Sequence, residues 1–435
     1  MDEYGYSLAR ILKMTKKIIE GHFSTSQFTG PGRVTFDEQT GLIEKFEENV
    51  TFNKQGEFYE EDKIIFAGMG DVHIHAREDV SGKHTYKEDF ISASEAAING
   101  GLVHACDMPN NPVAPIDDES YKKKLELTNK AKISLLIYAG IGPNTKPLSF
   151  KAPYKAYMGP SVGDLFFKNN EELEETLKYY EGQVVSFHCE DPEILENSKD
   201  MPTHLERRPV EAEVLATKEA LKLIKQFNLK GKLCHYSSGE GLKLIKQAKK
   251  EGLPVTCEAT PQHLYFSDDQ VGLDRFYQMN PPIRKQEDHN ALLESFLKGE
   301  IDYLATDHAP HTQEEKEKGT SGLTGLDTFG AFVTWLMIEK KMAPKLVAQA
   351  CCENPGTFVN QFLEDISEHA PRFKNYGKGF GFLEKGYMAN FTILDLKKPI
   401  TITKEVLKTK VAHSPFLGTT FPGSVHAVYM GGKRL

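Results

Sequence analysis

No stretch of this chain stays apolar for the roughly 20 residues that a membrane span needs. The N-terminal run Met1-Asp2-Glu3-Tyr4 is acidic, and Ile11-Leu12-Lys13-Met14-Thr15-Lys16-Lys17 is no apolar signal core, so a secretory leader is not expected. Cysteine is sparse: Cys106, Cys189, Cys234, Cys257, Cys351 and Cys352 are six residues in 435, with no CxxC pair. In a long chain without a leader they read as reduced, buried thiols of a cytoplasmic protein, which excludes a disulfide framework. Cys189 and Cys234 each adjoin a histidine, but strand alternation turns them away from the face those histidines use. A basic excess is missing as well. The 53 Lys and Arg stand against 62 Asp and Glu, a net charge of −9 at pH 7, which argues against nucleic acid or an anionic membrane as partner. A small anionic substrate would need a local cluster of Arg, His and metal. Repeats and low-complexity tracts are also lacking.

What is present is an alternation of strand-like and helix-like segments. From Lys17 to about Glu61, short apolar pieces are broken by Gly30-Pro31-Gly32, Asp37-Glu38 and Thr40-Gly41, the pattern of a small antiparallel β unit. Eight strand-like runs follow: Lys63 to His75, Gly101 to Met108, Ile133 to Gly140, Ser149 to Met158, Gln183 to Cys189, Lys232 to Ser237, Pro254 to Thr260 and Ile301 to Asp307. Between them lie helical stretches such as Tyr86 to Asn99 and Pro209 to Phe227. In the latter Leu215, Leu221 and Ile224 fit an amphipathic face, with Pro209 at the first helical position. Eight strands separated by helices imply parallel pairing, and eight is the number that closes a (β/α)8 barrel. The tail returns to β-like pieces, among them Phe391 to Leu394 and Val425 to Met430. The expectation is an α/β chain in three parts. Residues 1–62, with a short helix over 1 to 15, and residues 385–435 form a small β-sandwich domain, and 63–384 form the barrel.

Chemistry in such a barrel sits at the C-terminal ends of the strands. The first ends in Asp71-Val72-His73-Ile74-His75-Ala76-Arg77, where strand alternation places both imidazoles and the guanidinium on one side. Later ends carry Asn110, Lys155, His188, His235 and Asp307. Any one of these could be an ordinary core or rim residue. Their coincidence at one mouth is specific, because neutral imidazoles with an acid suit a borderline metal such as zinc.

The strand-by-strand set resembles the amidohydrolase superfamily and, within it, the dihydroorotases with an HxHxR motif. The likeness extends from the flanking β unit through Met279-Asn280-Pro281-Pro282-Ile283-Arg284 to Ser414-Pro415-Phe416-Leu417-Gly418. It implies two zinc ions bridged by a lysine that CO2 has carboxylated. His73, His75, Lys155 and Asp307 would hold one ion, and Lys155, His188 and His235 the other, with Asp307 also the proton shuttle. Lys151, four residues before Lys155, is the rival for the bridge. The likeness further implies substrate contacts from Arg77, Asn110, Asn280 and His311 and from the backbone near Gly325 and Leu326. The sequence departs from the pattern at Glu78-Asp79-Val80 and Asn111, which touches substrate placement and not the metal set. The implied activity is reversible hydrolysis of dihydroorotate to N-carbamoyl-aspartate in pyrimidine biosynthesis, and a homodimer is compatible with it. The alternatives are another cyclic amidase, of dihydropyrimidinase, hydantoinase or allantoinase type, or an inactive homologue serving as a structural partner. The polar segment His311 to Gly325 reads either as a solvated loop or as a mobile rim of the site.

Overall fold

The computed structural model describes residues 16–160, 165–370 and 375–435; the helix expected over residues 1 to 15 lies outside them. Eight parallel strands alternate with helices: Met69–Ile74, Leu102–Asp107, Ser134–Ile137 continued by Ala139–Ile141, Tyr154–Tyr157, Val184–His188, Lys230–Leu233, Val255–Ala259 and Tyr303–Leu304. Nearly every residue of these strands is buried, as expected where helices cover the outer face and side chains fill the inside. The barrel closes between its last and first strands. Ile74 bridges His308, and the His75 N–H donates to the His308 carbonyl at 2.7 Å. Asp71 fastens the same seam by accepting from the Thr306 hydroxyl at 2.5 Å, the Thr306 N–H at 3.1 Å and the His73 N–H at 3.0 Å. Burial pushes the Asp71 carboxyl up to about 6 against those bonds.

Both ends of the chain meet in the flanking β-sandwich domain, built on one eight-stranded sheet. Lys16–Ser24 pairs antiparallel with Thr29–Asp37, and Lys63–Ala67 pairs antiparallel with Phe391–Asp395 from the tail. The run from Lys63 to His75 is therefore two strands. Lys63–Ala67 belongs to the sandwich, and the barrel begins at Met69. Gly68 makes the junction: a Cβ there would stand 2.4 Å from Val103 Cγ2 and 2.7 Å from Asn390 Cβ. Only a residue without a side chain passes between the two layers at that point.

The helix Phe90–Asn99 shows how local sequence serves the packing. Asp89 caps it by accepting from the Ile91 and Ser92 N–H groups, and Ala93, Ala96 and Ala97 give it a thin buried face. In Val210–Gln226 the buried stripe runs through Ala212, Ala216, Ala220, Leu223 and Ile224, whereas Leu215 is exposed and Pro209 stands at the N-cap, outside the first turn. Ile224 and Leu221 pack as the pattern implies, and small residues fill the rest of the barrel side where Leu215 was expected. Among the described residues no helix is long and apolar enough to cross a membrane, and the six cysteines are buried and free.

Gly100 ends the helix Phe90–Asn99 against the segment after the eighth strand. A Cβ there would lie 1.8 Å from the Leu326 carbonyl oxygen, which is backbone and cannot rotate away. Gly100→Ala is expected to lower the unfolding free energy by about 3 kcal/mol in urea titration; an unchanged midpoint would show that this packing is looser than its geometry.

Candidate active site

The C-terminal ends of the barrel strands open on one narrow cavity. Of the residues expected from sequence, His73, His75, Arg77, Asn110, His188, His235, Asn280 and Asp307 line it, joined by Tyr157, Ser321 and Gly322. Strand alternation alone does not bring them there. Arg77, His235 and Asp307 have positive φ of 62°, 32° and 47°, a backbone region that side-chain-bearing residues rarely adopt. The first barrel strand ends at Ile74, so Arg77 reaches the cavity through a left-handed turn and not by continuing the strand. The same device at His235 turns two successive side chains inward. Cys234 is consequently not directed away, and its sulfur lies in one cluster with His73 and Glu258. Such strain is sustained only where surrounding structure holds it, which favours a functional reading.

His73, His75 and Asp307 are buried and bring three donor atoms together. Asp307 Oδ1 lies 3.2 Å from His73 Nε2 and 3.0 Å from His75 Nε2. The other nitrogens are also engaged: His73 Nδ1 is 2.8 Å from Glu258 Oε2 and His75 Nδ1 is 2.7 Å from Asn110 Oδ1. Burial, with Lys155 and His235 nearby, holds His73 far below the usual imidazole range, and burial also lowers His75. A neutral imidazole has one N–H. His73 therefore turns a lone pair toward a carboxylate on one side or the other, an arrangement that a cation between them would relieve.

A second pair stands beside the first. His188 Nδ1 lies 2.9 Å from His235 Nε2, and His188 Nε2 lies 2.7 Å from Glu190 Oε2. Burial lowers both imidazoles, His235 far below the usual range. Ring centroids 5.3, 5.2 and 4.7 Å apart join His75, His73, His235 and His188 into one chain. Lys155 pairs with Ser186 while Tyr157 pairs with His188, so Lys155 lies one step deeper in the barrel. It is wholly buried, and its Nζ has no hydrogen-bond partner among the described residues; the Tyr157 ring lies 5.1 Å away. An unpaired ammonium there is costly. The unpaired Nζ together with the unpartnered His235 Nδ1 and Tyr157 hydroxyl fits a site built to hold metal. The rival Lys151 is exposed and lies outside the strand.

The cavity wall also carries positive charge. Arg77 is buried, donating from Nε to the Pro310 carbonyl at 3.3 Å, with Nη2 3.1 Å from His311 Nε2. Lys87 Nζ stands 3.3 Å from His311 Nδ1 and 2.8 Å from Glu315. Burial and these two cations push His311 far below the usual imidazole range, so it stays neutral between them. Asn280 is held by two further histidines, His204 bonding the Met279 carbonyl at 2.9 Å and His263 the Pro281 carbonyl at 3.1 Å. Gly325 and Leu326 do not line the cavity, and their N–H groups point to His308 Nδ1 at 3.2 and 3.4 Å. The segment after His311 is a strapped rim and not a freely solvated loop. It contains the helix Gln313–Glu317, and buried Lys316 donates to the carbonyls of Gln278, Thr320 and Gly322 at 2.9, 2.9 and 2.8 Å.

Glu190 and Glu258 were not singled out from the sequence. The available signal was weak: each is an acid inside an apolar strand-end run, Phe187-His188-Cys189-Glu190 and Cys257-Glu258-Ala259. Their partners are far off in sequence, Arg208 for Glu190 and His73 for Glu258.

The sequence profile of the amidohydrolase family matches residues 64–435. Among curated proteins the chain is 31% identical over 422 residues to a dihydroorotase from Pyrococcus furiosus, covering 96% of this chain and 91% of that protein. A dihydroorotase from Listeria monocytogenes is 30% identical over 422 residues, covering 91% of this chain and 92% of its own length. Among solved structures, the L-hydantoinase (dihydropyrimidinase) of Arthrobacter aurescens superposes with a TM-score of 0.81 at 22% identity, covering 96% and 95% of the two chains. The dihydropyrimidinase of Brevibacillus agri superposes with a TM-score of 0.78 at 19% identity, covering 96% and 94%. At these identities the structures establish the fold.

His204 and His263, flanking Asn280, are lowered by burial to about 4 each. In the unfolded chain a histidine titrates near 6.5. Unfolding between those values takes up protons, so their contribution is full above about pH 6.5 and is lost as pH falls toward 4. Urea midpoints of the metal-free chain are expected to drop through this window, by up to about 1.4 kcal/mol per histidine per pH unit. A flat profile from pH 7 to 4.5 would mean these imidazoles are not held neutral.

Proposed function

The chain belongs to the amidohydrolase family, and from that premise we propose that it is a dihydroorotase, interconverting dihydroorotate and N-carbamoyl-aspartate by hydrolysis of the ring amide. The observation that carries this reading is buried, cavity-lining Arg77 beside His311, two residues beyond His75. A guanidinium there matches a substrate carboxylate in charge and in fork geometry. The neutral rings of dihydrouracil, hydantoin or allantoin give no reason for burying it. The relatives named dihydroorotase support the same substrate.

Two zinc ions are the proposed cofactors. His73, His75 and Asp307 would hold one, His188 and His235 the other, and Lys155, carboxylated by CO2 on its unpaired Nζ, would serve both. Bound zinc supplies Lewis acidity, making water nucleophilic near neutral pH and polarising a carbonyl.

The chain's own groups do the rest. Arg77 and His311 bind the ring carboxylate, with Asn280 beside it, and so fix which face of the ring amide meets the attacking water. Asp307 accepts the proton released as water adds to the carbonyl carbon. It then delivers that proton to the ring nitrogen as the carbon–nitrogen bond breaks. Asn110 keeps His75 oriented through the 2.7 Å contact at Nδ1. Burial of the cavity walls keeps bulk water from competing for Arg77.

Two measurements test the reading. Asp307→Asn is expected to reduce kcat by about 1,000-fold while zinc content by elemental analysis stays near that of the parent; retained turnover would remove the proton-carrying role. In a panel of dihydroorotate, dihydrouracil, hydantoin and allantoin, only the first should turn over well. Arg77→Met should raise its KM about 100-fold, the loss of two charge-assisted hydrogen bonds. Preference for a neutral ring would overturn the assignment.

A further inference from the structure

Two of the four cavity imidazoles stand on buried carboxylates, and each carboxylate has a cation behind it. Glu258 is wholly buried on the seventh barrel strand, Val255–Ala259. Its Oε2 receives His73 Nδ1 at 2.8 Å and the backbone N–H of His235 at 3.1 Å, and its Oε1 contacts the ammonium of buried Lys232. Glu190 is equally buried. Its Oε2 meets His188 Nε2 at 2.7 Å, and Arg208 forks onto it with Nε at 3.0 Å and Nη2 at 2.6 Å. Arg208 is fixed in turn: its carbonyl accepts from Arg284 Nη1 at 2.5 Å, and Arg284 Nε donates to Ser237 Oγ at 2.9 Å, two residues beyond His235.

We propose that Glu258 and Glu190 are positioning residues that fix the tautomers of His73 and His188. A buried carboxylate without a proton can only accept. Glu258 therefore places the His73 proton on Nδ1 and leaves Nε2, the atom facing Asp307, as a lone pair. Glu190 places the His188 proton on Nε2 and leaves Nδ1, the atom facing His235, as a lone pair. The nitrogen left free to hold a cation would thus be Nε2 in one imidazole and Nδ1 in the other, each set by its outer partner. Lys232 and Arg208 donate to the two carboxylates from behind, so that both carboxylates stand as acceptors toward the imidazoles. Lys232 also excludes a second cation from the nearby trio of His73, Cys234 and Glu258, because its ammonium already occupies the Glu258 carboxylate. Glu258 ties the two metal halves together, since the same oxygen holds the His73 ring and the left-handed backbone of His235.

This inference rests on the reading of the cavity as a zinc site, and the experiment separates the two. Zinc dissociation constants are measured by competition with a chromophoric chelator on the full chain and on Glu190→Gln, Glu258→Gln and the double variant Lys232→Met/Glu258→Gln. The double variant guards against misfolding, because it removes both members of a buried pair rather than stranding one. Unfolding midpoints of the metal-free proteins are recorded alongside. The expected result is zinc binding weakened about 10- to 100-fold in Glu190→Gln and in the double variant, at metal-free midpoints close to the parent's. Histidine 15N spectra of the metal-free parent should show His73 protonated at Nδ1 and His188 at Nε2. Parent-like zinc affinity in these variants, or weakening that only tracks lost stability, overturns the positioning role. A parent chain that binds no zinc overturns the metal-site reading itself, and this inference with it.

Discussion

His73 stands between two carboxylates and, being neutral, owns one proton. Whichever side receives it, the other contact sets a lone pair against an oxygen anion inside a closed barrel, where such opposition is strong. The surroundings extend the same problem. His75 meets the same Asp307 oxygen, His188 and His235 face each other nitrogen to nitrogen, and Lys155 Nζ has no hydrogen-bond partner among the described residues. Positive charge placed among the imidazoles resolves the first conflicts, and an anionic modification of the lysine resolves the last. A metal pair with a carboxylated lysine would satisfy these groups together.

The scaffold is shaped to keep that arrangement under tension. The seam between the first and last strands is sewn by Asp71, Thr306 and His308, one residue either side of Asp307 and two before His73. Left-handed backbone at Arg77, His235 and Asp307 then turns the chain ends inward where a regular strand would carry them past. The flanking sheet enters through Met69, whose N–H donates to Thr392 Oγ1 at 3.0 Å, so the tail of the chain braces the strand that carries His73. On the far side Lys316 gathers three carbonyls and ties the rim to the Asn280 loop. Catalytic geometry and fold stability thus share the same hydrogen bonds.

The eight strands were legible because each is a buried apolar run bounded by polar helix surface, and the histidine cluster was legible because histidine is conspicuous at strand ends. Four kinds of information were not. Positive φ leaves no mark on a sequence except at glycine, so the inward turn of Cys234 and the route of Arg77 could not be read from alternation. Glu258 meets His73 only through barrel closure, and Glu190, two residues from His188, is held by Arg208 from a later loop; an acid in a strand looks alike whether it supports a histidine or caps a loop. Nor does the sequence show that the N–H groups of Gly325 and Leu326, in the backbone where the likeness implies substrate contacts, point to His308. The split of Lys63–His75 into two strands was hidden because Gly68 interrupts an otherwise continuous apolar run.

Cations in the cavity and an anion on Lys155 are what the proposed chemistry requires. Crystals grown with zinc and bicarbonate, measured on both sides of the zinc absorption edge, test this most directly. Two anomalous peaks are predicted, one among His73, His75 and Asp307 and one between His188 and His235, with planar density extending from Lys155 Nζ between them. A well-ordered cavity with no anomalous peak and a bare lysine side chain would contradict it.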